Sequence, residues 1–175
     1  PELRDKNVRW DELVYYVRTR AGWLDALFRV GGDIDTLERF VSQGFPVIIE
    51  TGYELDVGWV GHYLVVSGYN RDAGVFTVQD VTGGPDHEIS YDKVAALWEH
   101  FNQLYILVFP AEKRTEVIRL LGDHAHPDSN RYLALRRARA GTEADAENAF
   151  AWFAYGSNLN HFNHYGDAAA AFDRA

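Results

Sequence analysis

The sequence predicts an α+β fold, with helices segregated against a twisted antiparallel sheet and an all-α segment behind it. Three observations predict it. First, two runs rich in Val, Phe, Tyr and Thr, Gly61–Tyr69 and Val75–Val81, flank the polar loop Asn70-Arg71-Asp72-Ala73-Gly74, as in a β-hairpin. Second, two stretches with helical spacing come before the hairpin, and each ends at a glycine. Third, after Pro110 Ala, Arg and Glu rise and β-branched residues become scarce, which favours helix over strand.

Taken in order, Trp10–Thr19 carries Leu13, Tyr16 and Val17 at helical spacing, with acids early and arginines late as the helix dipole favours, and Gly22 closes it. Leu24–Val30 is a short strand before Gly31-Gly32. Asp33 or Asp35 caps a second helix, whose face is Ile34, Leu37, Phe40 and Val41 and whose end is Gly44. Phe45–Thr51 is a buried strand, with Pro46 at its start, where a missing N–H is tolerated. Gly52–Gly61 is expected as a loop. The hairpin follows, then a glycine-rich loop Gly83-Gly84-Pro85. Tyr91–Phe101 is a helix with Val94, Leu97 and Trp98 inward, and Leu104–Phe109 is a last strand stopped by Pro110. Beyond it, Glu112–Leu121 and Ser129–Ala140 are helical around the loop Gly122–Asp128, and Asn148–Ala175 forms two more helices.

Composition narrows the function. The 175 residues are 47% apolar and 14% aromatic, enough for a real core. A net charge of −9, spread along the chain, disfavours nucleic acid as a partner. No apolar run approaches the ~20 residues that span a bilayer. The chain has no cysteine, which excludes disulfides and thiol chemistry within these residues and leaves the compartment open. It begins with proline, contains no methionine and stops inside a helical pattern, so an internal fragment of a longer protein is expected. Its isolation is expected to expose apolar surface near Trp10 and Trp23.

The hairpin carries the chemistry. If Tyr69 pairs with Val75, Asp80 lies opposite Leu64 and diagonal to His62. Even-numbered residues of both strands then share a face, so His62 and Asp80 point the same way, roughly 7–8 Å apart at Cα. A slip of one residue would separate them. An aspartate that accepts from one ring nitrogen fixes the imidazole's tautomer and orientation, and the other nitrogen is left to serve a nucleophile. Trp59 and Tyr63 flank His62. Trp59 either walls a cleft or covers the hairpin, and Gln79 precedes the aspartate. Glu50 is either a second acid in the cleft or, by preference, a solvent-facing carboxylate. His124 with His126, and His161 with His164, lack a further ligand at suitable spacing, so no metal is expected. Gly31-Gly32 and Gly83-Gly84 are turns, since no Lys-Ser/Thr follows either.

In the last segment Trp152, Gly156, Ala168, Phe172 and Ala175 fall at W-x3-G-x11-A-x3-F-x2-A. This resembles a tetratricopeptide repeat, in which small Gly156 and Ala168 let two helices approach while Trp152 and Phe172 fill the space around them. One repeat cannot bury its own faces, so further repeats are expected after Ala175.

Phe45-Pro46-Val47-Ile48-Ile49-Glu50, Gly58-Trp59-Val60-Gly61-His62-Tyr63, Gln79-Asp80 and Leu97-Trp98 through Tyr105-Ile106-Leu107-Val108 resemble the C39-like peptidase family, over about residues 6–110. The resemblance implies a papain-like cysteine peptidase fold, in bacterial members followed by tetratricopeptide repeats. It implies His62 as catalytic histidine and Asp80 as its orienting acid; Trp59, Tyr63 and Gln79, next to the pair in sequence, are candidate cleft residues. The family's cysteine opens an early helix, with an oxyanion glutamine just before it; neither can be placed here, and both are expected upstream of Pro1. The implied organisation is a C39-like portion at 1–111, a helical connector at 112–147 and a first repeat at 148–175. No cofactor or metal is expected. Expected partners are a peptide or protein substrate and a protein held by the repeats, with no nucleic acid and no membrane segment in these residues. Compartment stays open, including export or anchoring through a preceding segment. The competing expectations are a degenerate C39-like module that grips a peptide without cutting it, and a scaffold in which only the repeats matter.

Overall fold

The computed structural model describes residues 8–56 and 58–175. Its centre is a six-stranded antiparallel sheet in the order β1-β6-β2-β3-β4-β5, made of β1 (Leu24–Arg29), β2 (Val47–Leu55), β3 (Gly58–Asn70), β4 (Val75–Asp80), β5 (Gly84–Ser90) and β6 (Tyr105–Pro110). Helices α1 (Trp10–Arg20), α2 (Ile34–Val41) and α3 (Tyr91–Glu99) belong to the sheet region. They are followed by α4 (Arg114–Leu121), α5 (Pro127–Ala144), α6 (Ala149–His161) and α7 (Tyr165–Phe172).

Local chemistry sets the helix ends. Asp33, not Asp35, caps α2: its Oδ1 accepts from the Thr36 amide at 2.8 Å and the Thr36 hydroxyl at 2.6 Å. The Arg9 amide donates to Glu12 at 2.9 Å and starts α1. On one face of the sheet, Leu37 and Phe40 of α2 and Val94 and Trp98 of α3 pack on Ile49, Leu64, Val66, Phe76 and Val78. On the other, Val14 of α1 and Ala134 of α5 pack on Ala26 and Ile106.

Two expected loops are strand. Of Gly52–Gly61, Gly52–Leu55 and Gly58–Gly61 are paired strand, with Gly52 opposite Gly61 and Tyr53 opposite Val60 beyond the Thr51–His62 pair, and Val57 lies outside the described residues. The glycines there suggest a loop. They serve close packing instead: a Cβ on Gly52 would collide with the His100 ring, and one on Gly61 would lie 2.9 Å from Phe101. Gly84–Ser90 is the edge strand β5. Its solvent-facing Asp86, His87 and Glu88 suit an exposed sheet edge and hide the apolar alternation by which strands are recognised.

The compositional break at Pro110 ends the sheet but not its core, since Val117 and Leu121 of α4 fill the main cluster. α5 is clamped by Asn130, which accepts from the Val30 amide at 3.1 Å and donates to the Val30 carbonyl at 2.8 Å. α6 docks through a buried reciprocal amide pair, Asn102–Asn158, at 3.2 and 3.3 Å, and through Phe150 stacked on His100 at 3.7 Å between centroids. Trp10 is half-buried against Phe28, 4.1 Å between ring centroids, whereas Trp23 is 68% exposed. The histidines weighed as ligands have other partners: His124 contacts Asn130 at 2.9 Å and His161 contacts Asp128 at 3.1 Å.

Gly156 sits where α6 meets α7. A Cβ there would lie 2.8 Å from the Phe172 ring and 3.1 Å from the Ala168 carbonyl oxygen. The backbone oxygen cannot swing away, so the two helices would have to separate. Gly156→Ala is therefore expected to lower stability by about 1–3 kcal/mol despite alanine's better helix propensity, which urea unfolding monitored by circular dichroism measures. A stabilised variant would contradict the close approach.

Candidate active site

The β3–β4 hairpin brings the site together through an irregularity. At its loop end Asn70 pairs with Val75, Tyr69 with Phe76 and Gly68 with Thr77, one residue away from the expected Tyr69–Val75 pairing. A β-bulge then leaves Ser67 unpaired, and the ladder resumes with Val66–Val78 and Val65–Gln79. The extra residue reverses the alternation of β3. Tyr69 shares a face with Phe76 at one end, and His62, Leu64 and Val66 share that face with Val78 and Asp80 at the other.

His62 Nε2 and Asp80 Oδ1 are 2.7 Å apart, with side chains 23% and 12% exposed. The same Asp80 oxygen accepts from the Thr82 amide at 2.8 Å. Burial alone would raise the Asp80 carboxyl. The Thr82 amide, His62 and the Gly83 amide outweigh it and hold the group below the usual carboxylate value. Asp80 is therefore an anion at neutral pH and accepts only, which assigns the shared proton to Nε2 of the imidazole. Nδ1 makes no hydrogen bond among the described residues and keeps its lone pair for a proton.

His62 is among the lining residues of two cavities. One, about 340 Å³, is lined by Tyr53, Leu64, Asp80, His87 and Lys93 as well as His62. Tyr53 presents its ring edge-on to the imidazole at 6.1 Å. The other, about 620 Å³, is lined by Glu50, Trp59, Tyr63, Phe101 and Phe153. Trp59 is half exposed, donates from Nε1 to His100 Nδ1 at 3.1 Å and lies 5.0 Å from the Phe101 ring. It is a wall of this second cavity.

Tyr63 points to the opposite face from His62. Its hydroxyl donates to the Val8 carbonyl at 3.0 Å, and its ring joins the α1 cluster. Gln79, paired with Val65, also lies on that opposite face and borders neither cavity at His62. Its amide donates to Ser67 Oγ and Asp86 Oδ1, each at 2.9 Å. Gln79 is thus a strand-to-strand tie, because neighbours in a strand face opposite ways. Reading Gly52–Gly61 as a loop hid Tyr53, although the alternation Ile49, Thr51, Tyr53 would have placed it beside His62. Lys93 and His87 carry no sequence signal, because α3 and the edge strand deliver them only in three dimensions.

Glu50 is half-buried, not solvent-facing. Burial, against the opposing effect of the Tyr63 hydroxyl, pushes its carboxyl from 4.5 up to about 7. Between those values the folded protein holds a proton that the unfolded chain has released. Stability should then fall as pH rises from about 4.5 to about 7 and level off above. Glu50→Gln, which removes the titration at constant shape, is expected to raise the melting temperature at pH 8 and flatten its pH dependence over that window. Unchanged thermal melts across the same range would contradict the burial.

Among the described residues no helix is long and apolar enough to cross a membrane, and no group of three or more His, Cys, Asp or Glu is placed to hold a metal ion. Compared with known proteins, the chain matches no curated protein. The crystal structure of a protein provisionally assigned as a C39-like peptidase, from Bacillus anthracis, is similar at 20% identity and a TM-score of 0.44, over 56% of this chain and 57% of that one. The model of the Peptidase_C39 like family matches residues 12–106, more than half of the chain, the whole of β1–β5 with α2 and α3, and most of α1. The chain belongs to the C39-like peptidase family.

Proposed function

We propose that the sheet region is the histidine–aspartate half of a papain-like cysteine peptidase site, and that the helices after it begin a tetratricopeptide array that recruits a protein partner. The observation that supports it best is the 2.7 Å contact of His62 Nε2 with an anionic Asp80, which leaves Nδ1 without a hydrogen bond among the described residues, on a side chain that lines a cavity of about 340 Å³ with Asp80. In this reading His62 Nδ1 takes the proton of a cysteine thiol. The thiolate attacks a peptide carbonyl, and the imidazolium returns the proton to the leaving amine. Water then hydrolyses the acyl-enzyme with His62 again as base, and Asp80 holds the ring in line throughout. The 175 residues contain no cysteine, so the thiol has to come from outside them. The family's pattern puts it, with an oxyanion glutamine, ahead of the portion present here. The repeat reading draws on the close packing of Gly156 against Phe172 and Ala168 and on the cluster of Leu159, Ala168 and Ala171 with Trp152.

The missing thiol also favours a second reading, a C39-like module that binds an extended peptide without cutting it. A longer chain that supplies a cysteine ahead of these residues, treated with a peptidyl electrophile directed at thiols, separates the two. Stoichiometric labelling at a cysteine near His62 supports the peptidase; tight peptide binding without labelling supports the module and sinks the peptidase.

A further inference from the structure

The cavity of about 620 Å³ beside His62 has a composition that the peptidase chemistry does not need. Its walls are aromatic: Trp59, Phe101 and Trp10 come from the sheet region, and Phe153 is supplied by α6. Trp59 and Phe101 stand 5.0 Å apart, tilted by 32°, and Phe153 leans on Phe172 of α7 at 6.0 Å. Glu50, directly across the β2–β3 ladder from Tyr63, also lines the cavity. Gly61 leaves room between Phe101 and Glu50, since a Cβ there would lie 2.9 Å from Phe101 and 3.6 Å from Glu50 Oε1.

Glu50 forms no ion pair among the described residues, and only burial and the Tyr63 hydroxyl act on its carboxyl. Among the described residues the one cation on the cavity wall, Arg9, is committed elsewhere. Its guanidinium pairs with Asp11 at 3.0 and 3.3 Å, and its amide holds Glu12. Asp11 and Glu12 both act on Tyr63 as negative charges, so the local field favours a cation. Above about pH 7, where Glu50 is ionised, an aliphatic side chain would suit the rings but leave a carboxylate buried without a counter-charge, which is costly. An ammonium or guanidinium satisfies both, because aromatic faces attract cations and the carboxylate pairs with them.

We propose that this cavity is a subsite for a cationic side chain, lysine or arginine, of the peptide that passes His62, and that the helical segment completes it through Phe153. The choice of a peptide as ligand rests on the function proposed above; the cation preference rests on the cavity alone.

The test uses the 175-residue chain and needs no thiol. Acetyl-Gly-Lys-Gly-amide and its norleucine counterpart are titrated at pH 8 by calorimetry, with tryptophan fluorescence as a second readout. The lysine peptide is expected to bind about tenfold or more tighter than the norleucine peptide, the range of a charge-assisted contact. Glu50→Gln, which keeps the shape, should erase that preference. Phe153→Ala should weaken the lysine peptide by about threefold to tenfold. Equal affinities, no binding of either peptide up to millimolar concentration, or a preference that survives Glu50→Gln overturns the subsite. Those outcomes leave the peptidase proposal standing, because thiol labelling in the longer chain measures it independently, and failed labelling would leave the binding result standing.

Discussion

Replacing His62 by alanine, in a chain that carries the thiol, is expected to reduce peptide hydrolysis by about a thousandfold, the scale of a lost general acid–base group. The fold should be unaffected, because the imidazole is partly exposed and lies at the cavity rim, not in the apolar cluster. The loss has two sources. Without the imidazole the thiol keeps its proton at neutral pH, and the departing amine has no acid to protonate it. Asp80→Ala is expected to cost less, since the ring would remain but lose its orientation. Its anion is also held by the Thr82 and Gly83 amides, which would reorganise. Circular dichroism matching the parent, together with lost turnover, is the expected pair of results. Parental turnover in His62→Ala would remove the residue from the mechanism.

The largest stability effect is expected at Trp98→Ala. Trp98 is almost fully buried, its Nε1 donates to the Leu104 carbonyl at 2.6 Å, and its ring meets Tyr105 edge-on at 6.4 Å. It is also the reason Gly32 carries no side chain: a Cβ there would lie 2.6 Å from the indole. Truncation opens a cavity that neighbouring strands cannot close, at about 3–5 kcal/mol, and strands the Leu104 carbonyl at about 1–3 kcal/mol more. Net stabilities of domains are about 5–15 kcal/mol, so the variant should sit near the edge of folding, with its melt lowered by about 10 °C or more. Trp98→Phe keeps most of the packing and should recover more than half of the loss. α3 also carries Lys93 to one cavity and leads into His100, which holds Trp59 at the other. Peptide binding should therefore weaken along with stability. A melt shifted by only a degree or two would contradict the central place given to this side chain.

Much of this arrangement can be read from residue order, for local reasons. The α2 cap, the glycine that ends it and the strands at Val47 and Tyr105 follow from capping chemistry and apolar runs, which act over a few residues. The pairing of His62 with Asp80 follows from strand alternation, although the alternation starts one residue out of step and the bulge at Ser67 brings it back. What escapes is what depends on distant segments. β5 is an edge strand whose residues are polar because water covers it, so it has no apolar period to find. Gly52 and Gly61 look like loop residues because their purpose, room for His100 and Phe101, belongs to a segment some forty residues later. Gln79 belongs beside Asp80 in sequence but on the other face in space. Glu50 lines a cavity whose other walls include Trp59, Phe101 and Phe153 of α6, none of which a strand pattern can supply.

The claim on which the functional account depends is that Asp80 acts only through His62. A double-mutant cycle measures it: labelling rates of the thiol-bearing chain by the peptidyl electrophile for the parent, His62→Ala, Asp80→Ala and the double variant. The account predicts that the double variant labels no more slowly than His62→Ala alone, since an orienting carboxylate has nothing to orient once the ring is gone. Losses that multiply across the two sites would contradict it.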